Sequence, residues 1–263
     1  ERALLALGTL GDARALSELE TVAAGGTPEA PTEPSMMAAA IEGLGRLAAK
    51  LPDGEDRRRV EEKVEAAAVD GASLELQQAG MRGLRAIGGE RARVKLEALL
   101  TDLETHLYVR ITAAQELAKL NDSEAEAALA SALDAPEQDV RKEARKALDL
   151  LFPKERTRVE FLAVASRHAD ISEPAAAYLS DEGDPALLVP RLATLSNVDL
   201  RLRLRRGLAR RGALPVPEVV ALLGHDKPEA REEAASLVGT WTGEAREPGT
   251  VDVAALSRAL VTA

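Results

Sequence analysis

Eight leucines recur along this chain at intervals that point to a stacked repeat. Leu7, Leu44, Leu84, Leu117, Leu148, Leu179, Leu208 and Leu237 are separated by 37, 40, 33, 31, 31, 29 and 29 residues. Most open an L-x-x-L or L-x-x-I group: Leu7-Gly8-Thr9-Leu10, Leu44-Gly45-Arg46-Leu47, Leu84-Arg85-Ala86-Ile87 and Leu117-Ala118-Lys119-Leu120, with Leu148-Asp149-Leu150-Leu151 continuing the series. A fixed period of this size marks an array of supersecondary units, each too small to bury its own apolar face. The copies at Leu179, Leu208 and Leu237 are looser.

Two further landmarks share the period. An apolar–polar pair precedes many anchors by eight residues, as in Leu76-Gln77, Val109-Arg110, Val140-Arg141 and Leu200-Arg201. A short polar break follows the anchor, as in Gly11-Asp12, Asn121-Asp122 and Gly183-Asp184. Each break fits a helix C-terminus followed at once by an N-capping Asp. Beyond it runs a second amphipathic segment; Ala125, Leu129, Ala132 and Leu133 share one helical face. The unit is therefore a helix, a tight turn and an antiparallel helix. One hairpin cannot cover both apolar stripes, so neighbours must stack.

The V-R-x-x-A-A-x-x-L-x-x-L-x-D run of Val109–Asp122, matched again by Val140-Arg141 through Ala147-Leu148, resembles the HEAT repeat in its short bacterial, phycobilisome-lyase-like form. The resemblance is closest over residues 73–151 and departs at Ser172, which stands where the second landmark has Arg. It implies an all-α fold, a right-handed α-solenoid of about eight helical hairpins, with first helices on the convex face and second helices on the concave one. Such repeats mostly provide surfaces.

Composition agrees. Ala and Leu fill 50 and 40 positions, whereas there are four Ile, two Phe, two Tyr and one Trp. That is too few β-branched and aromatic residues for the pleated faces of a sandwich or barrel. No stretch approaches the ~18 uninterrupted apolar residues of a membrane-spanning helix. Without cysteine there is no disulfide framework, thiolate metal site or thiol nucleophile. The formal net charge of −10 is uneven, with 15 basic and 24 acidic groups in residues 1–134 against 19 and 20 in residues 135–263. An acidic chain repels nucleic acid except at a local basic face.

The Pro-rich segment Gly25–Ser35 and the segment Thr242–Asp252 read as loops, the latter followed by a last helix from Val251 to about Thr262. The repeat resumes after both, so residues 1–263 read as a single domain. Glu1–Leu10 reads as the tail of a helix already under way, which implies residues upstream, where any targeting signal would lie. The expected location is cytoplasmic.

Chemistry-bearing motifs are absent: no G-x-S-x-G, no Walker loop and no G-x-G-x-x-G after a strand. His106, His168 and His225 lie in different repeats, followed by Leu107, Ala169 and Asp226, unlike the His-Glu pairs through which some HEAT-like enzymes hold iron. No metal and no cofactor are expected. Glu61-Glu62 and Glu232-Glu233 read as solvated helix faces, because acid–base work needs a pocket that shifts pKa values.

Two segments remain as candidate partner surfaces. In the helix Asn197–Arg211, Leu200, Leu204 and Leu208 form the core stripe, placing Arg203, Arg206 and Arg210 on one flank and Arg201 and Arg205 on the other. Arg forks suit carboxylate and phosphate; the plainer reading is a solvated face paired with neighbouring acids. In the helix Lys154–His168, Arg158, Phe161 and His168 share a side that the HEAT geometry turns toward the groove, making Phe161 a candidate anchor, unless it packs against the next hairpin. The function so read is a non-enzymatic scaffold holding a protein or peptide partner along the groove. The alternatives are a bilin-lyase-like cofactor-handling subunit, as the resemblance permits, and nucleic-acid binding through residues 197–211. Five aromatics in 263 residues are few for stacking on a tetrapyrrole or on bases.

Overall fold

Apolar residues at helical spacing, punctuated by caps and prolines, give a nearly all-helical chain in the computed structural model, which describes residues 1–212 and 214–244. In chain order the helices are α1 (Arg2–Leu10) and α2 (Leu16–Ala23), α3 (Pro34–Ala48) and α4 (Glu55–Asp70), α5 (Leu74–Ile87) and α6 (Gly89–Thr101), α7 (Leu107–Leu120) and α8 (Glu126–Ala132). There follow α9 (Gln138–Leu151) and α10 (Arg156–Ala163), α11 (Ala169–Glu182) and α12 (Pro185–Leu192), α13 (Val198–Arg210) and α14 (Val216–Leu223), and α15 (Pro228–Glu244). Odd-numbered helices are the first helices of the repeat and even-numbered ones the second. The fold is an all-α solenoid of HEAT-like hairpins.

The breaks behave as their chemistry demands. Gly11 ends α1 with φ +76° and Asn121 ends α7 with φ +56°. The Asp after each accepts a hydrogen bond from a backbone N–H two residues on, Arg14 for Asp12 and Glu124 for Asp122. Asp184 does the same for Ala186. The segment Gly25–Ser35 is largely exposed, as expected, but folds into a small antiparallel hairpin of β1 (Gly26–Thr27) and β2 (Ala30–Pro31) before Pro34 opens α3. The segment expected as the helix Lys154–His168 is shorter, α10 stopping at Ala163. Most of the expected loop Thr242–Asp252 and all of the last helix from Val251 lie outside the described residues.

Contacts divide the chain into two units, Glu1–Pro153 and Lys154–Ala263. In the first, α1, α3, α5, α7 and α9 stack in order, and each second helix also packs on the first helix of the following hairpin. Leu44, Leu84, Leu117 and Leu148 are buried between these layers, whereas Leu7 is half-buried. In the second unit α11, α13 and α15 stack likewise, with Leu179, Leu208 and Leu237 in the core and α12 against α14.

At three of the second landmarks, the residue after the apolar member ties a first helix to the end of the preceding second helix or the turn beyond it, whereas Arg201, at the fourth, pairs with Glu233 of α15. Arg110, only 2 % exposed, donates from Nε to the Leu100 carbonyl at 3.0 Å and from Nη1 to Glu137 at 2.6 Å. Arg141 donates to the Ala135 and Pro136 carbonyls at 2.8 Å each, and Gln77 to the Val69 carbonyl at 3.0 Å. These carbonyls lie at or just beyond helix ends, where no intrahelical donor reaches them. Ser172 is too short for that reach; its hydroxyl donates to the His168 carbonyl at 3.1 Å. Near α15 the task passes to Arg231, which donates to the carbonyls of His225 and Asp226 at 2.8 and 3.0 Å.

Neighbouring repeats also exchange charge. Buried Glu42 on α3 accepts from Arg46 at 2.6 Å and from Arg82 of α5 at 2.8 Å; buried Glu116 on α7 accepts from Arg85 of α5 at 2.6 Å. On the second helices, Glu20 of α2 receives Lys63 and Arg59 of α4, and Glu65 of α4 receives Arg91 of α6. Glu61, read as solvated, is instead half-buried and holds Arg57 at 2.8 Å, while Glu62 is exposed.

Candidate functional site

The arginine helix α13 is positioned by its apolar stripe. Leu200, Leu204 and Leu208 are buried, and the Asn197 side chain caps the N-terminus by accepting from the N–H groups of Asp199 and Leu200. Gly207 is packed directly on α11, where any side chain would overlap Ser180.

Arg201 and Arg205 turn toward α15, where they meet Glu233 at 3.3 and 3.4 Å. Glu233 is buried, not solvated as its sequence context implied, because α15 turns that flank onto α13. Burial pushes its carboxyl above the ordinary value, and the two guanidinium groups offset this only in part. Arg211, just past the helix, donates to the Gly183 carbonyl at 2.6 Å and so closes the end of α11.

Arg203, Arg206 and Arg210 take the other flank, as the helical phase predicts, and line an open cleft of about 460 Å³ between α13 and α11. Ser180 and Asp181 of α11, with Asp199 of α13, complete its polar lining. Arg210 reaches Ser180 Oγ at 3.3 Å and approaches Asp181 at 3.9 Å. Arg203 is exposed and makes no hydrogen bond or ion pair among the described residues. The cleft thus offers a guanidinium fork that no internal acid occupies.

The second candidate surface is arranged differently. Phe161 is 7 % exposed, and the Arg191 guanidinium stands 5.7 Å from its ring centroid. The ring is therefore buried, with Arg191 of α12 beside it, and is not open as an anchor. Arg158 is exposed and held by Glu155 at 2.9 Å. His168 is the N-cap residue of α11; its carbonyl accepts from Ile171 and Ser172, and its N–H donates to Ser166 Oγ. Arg158, Phe161 and His168 therefore do not form one open surface.

His106 and His168 are the N-cap residues of α7 and α11, and His225 lies in the turn between α14 and α15. His106 Nδ1 accepts from the Tyr108 N–H and His225 Nδ1 from the Lys227 N–H. Among the described residues no group of three or more His, Asp or Glu side chains is placed to hold a metal ion. A larger cleft of about 610 Å³ in the first unit, beside Gly88 and Gly89, is lined by Arg57, Glu61, Glu65 and Arg91, which are paired with acids or bases there, and by exposed Arg58, whose side chain makes no hydrogen bond or ion pair among the described residues; it is the single unpaired arginine there among paired ones.

Sequence reasoning missed Gly207, Ser180 and Asp181. A signal existed: Gly43, Gly83 and Gly207 each stand immediately before an anchor leucine. Read together, they mark first helices that approach a neighbour closely.

No protein-family model matches this chain, and no curated protein matches it. Among solved structures, the chain is similar to a chain in the complex of CpcE and CpcF of phycocyanin lyase from Nostoc sp., at 14 % identity and TM-score 0.41, over 92 % of this chain and 87 % of that one. It is also similar to an engineered protein at 19 % identity and TM-score 0.36, over 92 % of this chain and 73 % of that one.

Proposed function

We propose that this protein is a non-enzymatic helical-repeat scaffold that holds a protein partner, and that the cleft between α11 and α13 is its working surface. The observation that carries this is the exposed Arg203, free of any acid among the described residues, beside Arg206 and Arg210. Elsewhere many basic side chains are absorbed by stacking, as with Arg82, Arg85, Arg91 and Arg110. Repeat arrays present extended surfaces of this kind. With Phe161 packed under Arg191, a groove centred on that ring has less to offer as an anchor.

A cofactor-handling role of the bilin-lyase type is supported less. Stacking on a tetrapyrrole calls for several open aromatic faces, whereas Phe152, Phe161 and Trp241 are buried, Arg156 lies 4.2 Å over the Tyr178 ring, and Tyr108 alone of the five aromatics is exposed.

Affinity capture from a lysate with mass spectrometry tests the reading. The wild-type chain and the Arg158→Ala variant are expected to recover the same protein, and the triple reversal of Arg203, Arg206 and Arg210 to Glu to lose it. Recovery of pigment or nucleic acid in place of a protein, or capture indifferent to the triple reversal, would count against the scaffold or its surface respectively.

A further inference from the structure

Resting on that reading, we infer that the occupant of the α11–α13 cleft is a short, extended, carboxylate-rich segment of the partner. The spacing of the arginines sets the length. Positions 203 to 210 span about 10 Å along the helix at ~1.5 Å per residue, which is about three residues of extended chain at ~3.3 Å each. Carboxylates on alternate or successive residues of such a segment fall within reach of the three guanidinium groups. Arg203 is the entry point, since its fork is unoccupied among the described residues. Planar forks match carboxylates bidentately.

The acidic rim selects the kind of anion. Asp181 and Asp199 both line the cleft. They tolerate singly charged carboxylates interleaved among the arginines better than a dianionic phosphate, whose repulsion by each is doubled. A nucleic acid brings a continuous line of phosphates, about one charge per 1.7 Å of duplex, and meets a chain of net charge −10. A short acidic segment needs only the local patch. That patch lies in the more nearly neutral unit: residues 154–263 carry 15 basic and 16 acidic groups, against 19 and 28 in residues 1–153. Leu202 and Ala177, also in the lining, leave room for a small apolar residue beside the acids.

Fluorescence anisotropy on the full chain tests the inference. The probes are a labelled peptide with a run of glutamates between glycines and serines, its glutamine counterpart, its phosphoserine counterpart and a short single-stranded DNA. The glutamate peptide is expected to bind most tightly, and the glutamine peptide not at all. Affinity should fall as salt rises, because exposed charges are screened within ~8 Å at physiological ionic strength. Arg203→Glu is expected to weaken the glutamate peptide by roughly tenfold or more, and Arg203→Lys, which keeps charge but loses the fork, by less. Reversal of exposed Arg58, in the first unit, should change nothing. Because Arg203 is exposed, its variants should keep the wild-type urea midpoint; if Arg203→Glu shifts it, Arg203→Gln replaces it as the binding test.

Tighter binding of the phosphoserine peptide or of DNA, binding of the glutamate peptide unaffected by Arg203, or no binding of it at low salt would each overturn the inference. A partner captured through the triple-arginine patch by a segment without acids would overturn this inference and leave the scaffold standing. Capture of no protein at all would remove the scaffold reading itself.

Discussion

At the scale of single residues, the stacked repeats are governed by what each position has room for. Gly207 is the sharpest case, since a methyl group there would overlap Ser180 on α11. Gly207→Ala is expected to destabilise the second unit by about 1–3 kcal/mol, as overpacking does, read from the urea midpoint of Trp241 fluorescence. An unchanged midpoint would show that α13 can retreat from α11 at no cost. Leu117→Ala, at a fully buried anchor, should cost about 2–5 kcal/mol; Glu124→Ala, at an exposed site, should stay within about 0.5 kcal/mol. Glu42 adds a pH dependence. Burial pushes its carboxyl up, but hydrogen bonds from Arg82 and Arg46 outweigh this and hold it below the ordinary 4.5. A depressed folded-state value stabilises the fold above the ordinary value, and that contribution is lost as pH falls through the folded one. Glu42→Gln should therefore be less stable than wild type at pH 7, with the gap closing in acid below the ordinary carboxylate range. A gap that stays constant with pH would show that the carboxylate's charge is not what the arginines recognise.

At the scale of elements, the second landmark is a clasp between consecutive hairpins. Arg110 and Arg141 reach carbonyls that no helix can satisfy. Replacing either with Met keeps the aliphatic stem but orphans those carbonyls, at a cost of about 1–3 kcal/mol. Arg58→Met, at an exposed position, should be close to neutral. Hydrogen exchange locates the effect: in Arg110→Met, the amides around the end of α6 and the start of α7 should lose protection first. Uniform loss across the first unit would argue that Arg110 acts through the core and not through the clasp.

For the whole molecule, nearest-neighbour stacking makes cooperativity the open quantity, since solenoid stability is a sum of repeat and interface contributions. The repeat register passes from Leu148 to Leu179 in 31 residues, the same step as between Leu117 and Leu148. On that ground we propose that the chain behaves as one domain. Leu117→Ala should then lower the urea midpoint seen by Trp241 fluorescence as much as that seen by circular dichroism. A Trp241 transition that stays in place while the dichroism transition broadens would separate Glu1–Pro153 from Lys154–Ala263 as independent units.

What could be read from the residues alone was whatever repeats. The anchors Leu44 through Leu237, the Gly-Asp and Asn-Asp breaks and the stripe of Leu200, Leu204 and Leu208 all obey local rules of helix periodicity and capping, so they were legible without a structure. So was the sorting of Arg203, Arg206 and Arg210 onto one flank, because 100° per residue fixes it. Tertiary packing decided the rest. Whether Phe161 faces solvent or Arg191 depends on how α12 lies against α10, and no local pattern encodes that distance. Glu233 and Glu61 look like surface residues until a neighbouring helix covers them, since charge alone does not distinguish a solvated carboxylate from one held by half-buried arginines or reached from the next hairpin, as Arg91 reaches Glu61. The candidate cleft exists because Gly207 lets α13 sit against Ser180, and the fork of Arg203 stays open because Glu233 takes Arg201 and Arg205 while Arg210 turns to α11. Those pairings span about thirty residues of chain, a separation over which sequence proximity carries no information and only the stacking of one hairpin on the next brings the partners together.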